Sequence, residues 1–334
     1  MIQGRDVISL DTFSPAEVRW LVTRARELKQ GGHGRPLEGR SLAMVFFNPS
    51  LRTRASFSLA FSTLGGSVID LSAGRDIWDL ELREGAVMRG AAEEHVKDAV
   101  GVLSRYADAI AIRALARHDD WGQARRDEVI VSFQKNASVP VFNMESALEH
   151  PCQAWGDALT LEEALGDTQG KRLALTWVYH PKAKPLSVPH GVALMAAKMG
   201  MQLTISHPEG FELDQGVRDA VQRTAAAAGG SVKYVRDLPH AVEGAHAVYA
   251  CSWGAPFLTG RSSEEQELRD RHLDRRITLG LLKGAPEARF LHAMPLRRNV
   301  EADDAVVDSP RSLVLDQAEN RLHIQRALFS AVLG

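Results

Sequence analysis

Cysteine is scarce: the 334 residues contain two, Cys152 and Cys251, far apart and without a metal-ligand spacing. That excludes a disulfide framework and a structural zinc site, and it leaves two reduced thiols. Long hydrophobic runs are missing as well. No apolar stretch approaches the roughly 20 residues needed to cross a bilayer. The opening MIQGRDVISLDTFS lacks the positive-then-apolar layout of a secretory signal. The expectation is a cytoplasmic protein with no membrane partner. Neither sign of charge dominates, since 40 Lys and Arg stand against 42 Asp and Glu, a formal net charge of -2. Without a global basic field, nucleic acid is not an expected partner and any anion must be bound locally. No strand leads into G-x-G-x-x-G and the P-loop pattern is absent, so a nucleotide-dependent enzyme has no motif behind it. No metal or cofactor is expected.

What is present suits a globular protein with real cores: 45% of the residues are hydrophobic and 25% charged, over a length that fits two medium domains. Apolar runs alternate with amphipathic stretches along the whole chain, the pattern of an α/β protein with parallel sheets. A helix over 15–29 is well marked, with Ser14 as N-cap, Pro15 at its first position and Glu17 completing a capping box. Strands are expected over 41–47, 67–70, 109–113 and 139–142, with helices over 53–64 and 93–106. A long linking helix over 150–165 precedes a second series, with strands at 173–178, 202–206, 231–235, 247–250 and 289–293. The expected division is a first domain over 1–149, a second over 150–316, and a helix from 317 that returns to the first.

The most informative segment is Phe47-Asn48-Pro49-Ser50-Leu51-Arg52-Thr53-Arg54, between a buried strand and a helix start. Helix N-termini carry unpaired N–H groups and partial positive charge, so acids are normal there, yet this one has two arginines. A bound anion resolves the conflict. A phosphate would accept the free amides, the Ser50 and Thr53 hydroxyls, and charge-assisted bonds from Arg52 and Arg54. Taken alone, the segment is equally compatible with an ordinary Ser N-cap followed by solvated arginines.

Ser50-Leu51-Arg52-Thr53-Arg54 resembles the carbamoyl-phosphate signature of the aspartate and ornithine carbamoyltransferases. His150-Pro151-Cys152-Gln153 is similar to the family's HPxQ motif, Arg113 ends a strand as its carbonyl-polarising arginine does, and His292-Ala293-Met294-Pro295-Leu296-Arg297-Arg298-Asn299 resembles its HCLPxRR motif. Within the family, Asn143-Met144-Glu145, the context of Arg297, and Ala318-Glu319-Asn320-Arg321 resemble the N-acetylornithine and N-succinylornithine branch. The resemblance implies a homotrimer of two α/β domains joined by interdomain helices. It also implies a knot in the second domain, with 180–191 in the crossing loop, although knots are otherwise nearly absent from proteins.

The same resemblance implies the site. Thr53, Arg113 and His150 would donate to the carbonyl oxygen of carbamoyl phosphate, and Gln153 with carbonyls near Ala293 and Met294 would hold its amide. Ser50, Leu51, Arg52, Thr53, Arg54 and Arg297 would serve the phosphate and its departure, and Trp78 would come from a neighbouring subunit. Glu145 would face the acceptor amine, and Glu93 would select an acetyl over a succinyl group by repelling a second carboxylate. The acceptor half departs from the family. Cys251 stands where a lysine would pair with the acceptor carboxylate, His190 replaces an asparagine, Ala293 a cysteine, and Glu301 lies where the branch can carry a lysine. The expected reaction is carbamoyl transfer to N-acetyl-L-ornithine. A related enzyme for another amine and a non-catalytic paralogue remain open beside it.

Overall fold

The computed structural model describes residues 2–31, 34–115 and 120–334. It contains two α/β domains, each around its own parallel sheet. The first sheet has the order Ser67–Ser72, Ser41–Phe46, Ala109–Arg113, Val141–Glu145. The second has the order Arg289–Leu291, Ala247–Cys251, Arg172–Trp177, Gln202–Ser206, Ser231–Val235. Every neighbouring pair within these two sheets is parallel. Strands such as Ala247–Cys251 are buried at every residue, as expected where helices cover both faces. No described helix is long and apolar enough to cross a membrane.

Strand order locates the cleft. From Ser41–Phe46 the chain moves outward to Ser67–Ser72, then crosses back to Ala109–Arg113 on the other side. From Arg172–Trp177 it runs out to Ser231–Val235 and returns to Ala247–Cys251. Loops diverge at the carboxyl ends of strands where direction reverses, which opens a crevice there. Both reversals open onto one cavity, which Arg113 and Cys251 line from the last positions of their strands.

Helix Pro15–Gln30 carries the complete Ser14/Glu17 capping box. Other expected boundaries shift for local reasons. The helix read from residue 93 begins at Val96, with His95 as N-cap, because Glu94–His95 pairs with Leu80–Glu81. The strand expected over 139–142 is Val141–Glu145, carried into the site by its pairing with Ala109–Arg113. Of the supposed crossing loop 180–191, the second part is helix Ser187–Lys198. Pro189 is tolerated in its first turn, where an N–H has no intrahelical acceptor. The last helix, Val314–Leu333, starts earlier than expected and packs Phe329 on Phe57, Phe61 and Phe142, with ring centroids 5.6, 5.0 and 4.9 Å away. It also lies along the linking helix Pro151–Leu165, where Asn320 Nδ2 donates to Thr160 Oγ1 at 2.9 Å.

Candidate active site

The cavity between the two sheets has a volume of about 400 Å³. One end is the N-terminus of helix Leu51–Thr63, capped by Ser50, whose Oγ accepts the Thr53 N–H. Its first turn holds no acid. Arg52 lines the cavity and, among the described residues, its guanidinium has no hydrogen-bond or ion-pair partner. Partial burial, then the Arg113 charge, holds its pKa below the usual arginine value. Arg54 turns the other way: it stacks 4.1 Å over Phe46, pairs with Asp70 and donates to Ser72 Oγ at 3.2 Å. Of the two arginines read as phosphate ligands, only Arg52 lines the cavity.

Arg321 joins Arg52 there, from the last helix. It is 4% exposed, donates to Thr53 Oγ1 at 2.6 Å and to Gln153 Oε1 at 3.3 Å, and has no carboxylate within ion-pair distance among the described residues. Burial pushes its pKa down to about 10, yet it stays charged at neutral pH. A guanidinium withdrawn from water without a counter-charge is costly, so the buried Arg321 and the half-buried Arg52 beside a helix N-terminus suit a multiply charged anion. Sequence reasoning quoted Arg321 only as part of a phrase and gave it no role. The available signal was the inward stripe Gln317, Asn320, Arg321, Ile324 and Leu328, where polar residues occupy buried positions at helical spacing.

The middle of the cavity carries buried polar atoms without partners. Arg113 Nε and His150 Nδ1 are buried and unbonded, although Arg113 also forms an ion pair with Glu145. Burial, then the charges of Arg321 and Arg113, holds the His150 imidazole well below its ordinary pKa and therefore neutral. Gln153 is fixed by Asp157, which accepts its Nε2 at 2.8 Å, the Gln317 amide at 2.8 Å and the Tyr249 hydroxyl at 2.9 Å. This network turns the Gln153 carbonyl toward Arg321. Buried polar groups normally find partners, and orphans gathered around one cavity mark where a ligand belongs.

At the far end stand Cys251, Ser252, Lys184, Pro185, Val188 and Met294. Burial, then Glu301, drives the Cys251 thiol well above its ordinary pKa, so it is no ready nucleophile. Glu145 is held by Arg113 and by the Ser187 hydroxyl at 2.8 Å. Glu301, buried, accepts from His292 Nε2 at 3.3 Å and the Arg297 N–H at 2.7 Å. Ala293 lines the wall ahead of the cis Met294–Pro295 peptide.

Three expected residues stand apart in ways that revise the sequence reading. Arg297 is exposed and its Nε meets His180 Nε2 at 3.1 Å, outside the cavity lining; Arg321 holds the inner position instead. His190, read as an acceptor residue, is fully buried and structural. Its Nδ1 bonds the Leu148 carbonyl at 2.9 Å while Nε2 accepts the Asp214 N–H at 3.2 Å. Burial pushes its pKa down to about 4, in keeping with this neutral tautomer. Arg54 is the third. Trp78, 67% exposed, and Glu93, also exposed, lie on the surface of the chain and do not line the cavity.

Two family models match the chain: the carbamoyl-P binding domain of aspartate/ornithine carbamoyltransferases over residues 5–163, and their Asp/Orn binding domain over 175–332. The N-acetylornithine carbamoyltransferase of Xanthomonas campestris pv. campestris is 41% identical over 98% of this chain and 97% of its own. The ornithine carbamoyltransferase of Pyrococcus abyssi is 36% identical over 100% of this chain and 97% of its own. A crystal structure of acetylornithine transcarbamylase complexed with acetylcitrulline superposes with a TM-score of 0.97 at 40% identity, covering 99% of each chain. A substituted N-acetyl-L-ornithine transcarbamylase complexed with carbamyl phosphate and N-succinyl-L-norvaline gives 0.96 at 40% identity, covering 98% of this chain and 100% of that one.

Proposed function

Because this chain belongs to the aspartate/ornithine carbamoyltransferase family, we propose that it transfers the carbamoyl group of carbamoyl phosphate to the side-chain amine of N-acetyl-L-ornithine. The observation that carries this reading is the pair of guanidiniums, Arg52 and Arg321, which have no carboxylate partner among the described residues and stand at a helix N-terminus. A phosphate dianion supplies the missing charge.

The neutral amine attacks the carbonyl carbon, the bond from carbon to the bridging phosphate oxygen breaks, and the departing phosphate accepts the amine's surplus proton. Arg52, Arg321 and the amides of the first helical turn stabilise that leaving group. Negative charge develops on the carbonyl oxygen, where Arg113 Nε, His150 and the Thr53 hydroxyl can converge as donors. Thr53 Oγ1 already accepts from Arg321, which leaves its own hydrogen to donate. Gln153, oriented by Asp157, offers its carbonyl to the carbamoyl NH2. No residue needs to form a covalent intermediate, and the work is positioning and charge.

Several finer features belong to the same reading. The working unit is a homotrimer in the cytoplasm, with Trp78 and Glu93 entering a neighbour's site; their exposure in the single chain supports this. The domains divide at 149/150, the last helix, Val314–Leu333, completes the first, and the second is threaded through a knot. Arg54 steadies the phosphate loop from behind through Asp70. Glu93 excludes a succinyl carboxylate. A different amine acceptor is the second reading, favoured by the neutral Cys251 in the acceptor wall.

The test is mass spectrometry of carbamoylated product, beside phosphate release, with N-acetylornithine, N-succinylornithine, ornithine and short diamines in parallel. N-acetylcitrulline is expected, with little product from ornithine. Efficient use of N-succinylornithine would remove the role given to Glu93, and product from none of them would overturn the proposal.

A further inference from the structure

The charges around the cavity do not balance at its acceptor end. Arg113 is answered by Glu145, and Glu145 is further engaged by Ser187. Glu301 is answered by His292 and the Arg297 amide. Arg52 and Arg321 stand at the phosphate end. Lys184 remains: it lines the cavity with Cys251, Ser252 and Val188, and its ammonium has no hydrogen-bond or ion-pair partner among the described residues. It is no surface lysine on a loose tail, because the Gly254 N–H donates to its carbonyl at 2.9 Å and ties the segment to the exit of strand Ala247–Cys251. Its charge also acts on the Cys251 thiol.

We propose that Lys184 is the cation that holds the carboxylate of the acceptor, from the loop before helix Ser187–Lys198 rather than from the strand end at Cys251. This deepens, and rests on, the carbamoyl-transfer reading. The attacking amine must be neutral, so it offers Lys184 no counter-charge, and a phosphate held at the opposite end is already matched by two guanidiniums. The cavity thus places a cation on the wall formed by the loop before helix Ser187–Lys198, while the strand end at Cys251 is uncharged. A carboxylate pulled to that side fixes which way round an elongated acceptor lies, with its amine directed to the carbamoyl carbon.

The experiment compares N-acetyl-L-ornithine with N-acetylputrescine, the same molecule without its carboxylate, on the wild-type enzyme and on Lys184→Met. A charge-assisted pair predicts a preference of roughly 30- to 100-fold in kcat/KM for the carboxylate in the wild type. In Lys184→Met that preference falls to within a few-fold of unity, through the acceptor KM, while the KM for carbamoyl phosphate is unchanged. Lys184→Met combined with Cys251→Lys restores the preference by returning an ammonium to the facing wall. A preference that survives Lys184→Met, or a variant that loses donor and acceptor binding alike, overturns the assignment. Calorimetric titration of N-acetyl-L-norvaline, which has the carboxylate but no amine, into the carbamoyl-phosphate-loaded protein separates the two claims. If the wild type turns over no acylornithine, the activity proposal fails. Lys184 is then decided by whether Lys184→Met weakens this binding, which supports its role, or leaves it unchanged, which ends it.

Discussion

The two ends of the cavity are built differently. The phosphate end is made largely by short-range structure, a strand, a capped helix start and Arg52 in its first turn, which Arg321 joins from far away in the chain. The acceptor end is assembled from loops distant in sequence: Lys184, Cys251, Met294 and Glu301 meet only through the fold. An anion site can be written into one helix N-terminus because the backbone supplies most of its donors. Recognition of an amino compound of particular length and charge needs side chains from several directions. Such a surface can change one residue at a time while the phosphate grip is kept.

The largest effect is expected at the donor end. Arg52→Gln removes the guanidinium that has no other partner, and kcat/KM for carbamoyl phosphate should fall about 1000-fold, read from phosphate release at saturating acceptor. A loss of under tenfold would mean that the helix amides and Arg321 suffice. Between the ends, Arg113→Gln should lower kcat about 100-fold with both KM values within a few-fold of wild type, the pattern of an interaction made in the transition state. A change confined to the acceptor KM would move Arg113 from the carbonyl to the acceptor.

His190 tests whether the acceptor wall begins where the sequence placed it. Its neutral ring bridges the Leu148 carbonyl and the Asp214 amide, so His190→Ala should cost about 1–3 kcal/mol of stability, with acceptor KM little altered in the folded enzyme. The pH dependence has a definite sign. The folded-state pKa, about 4, lies below the ordinary 6.5, because burial disfavours the charged ring and protonation removes the acceptor for Asp214. The stabilisation is complete above about pH 6.5 and is lost as the pH falls toward 4. Urea unfolding at pH 7.5 and 5 should therefore show a smaller acid loss in His190→Ala than in the wild type. The smallest effect is expected at Cys251→Ser: less than about threefold in kcat, since a buried thiol with a raised pKa takes no part as a nucleophile. Strong inactivation would place sulfur chemistry in the reaction.

Much of the fold was legible from hydrophobic alternation, because parallel strands buried on both faces leave continuous apolar runs. The donor loop was legible because two arginines at a helix start contradict local electrostatics. Arg54 misled for the same reason: its true partner, Asp70, sits on the neighbouring strand. Arg321 was missed because its contact with Thr53 spans 268 residues, and no local pattern announces which buried polar residue of a helix will reach a site. Lys184 was passed over as part of a proline- and lysine-rich loop. Cys251 was noticed as a lost charge, but the loop that places a cation on the same cavity belongs to tertiary structure. His190 read as an acceptor residue because its position in the motif was visible and its two backbone partners were not.

In the proposed reaction Arg52, Arg321 and the first turn of helix Leu51–Thr63 hold the phosphate of carbamoyl phosphate while the carbonyl faces Arg113 and His150. A crystal structure with carbamoyl phosphate bound tests it most directly. The phosphoryl group is expected in contact with both guanidiniums and with the backbone amides that follow Ser50, and the carbonyl oxygen within hydrogen-bond distance of Arg113 Nε. Density for the donor elsewhere, or Arg52 and Arg321 turned away from an occupied cavity, would contradict it.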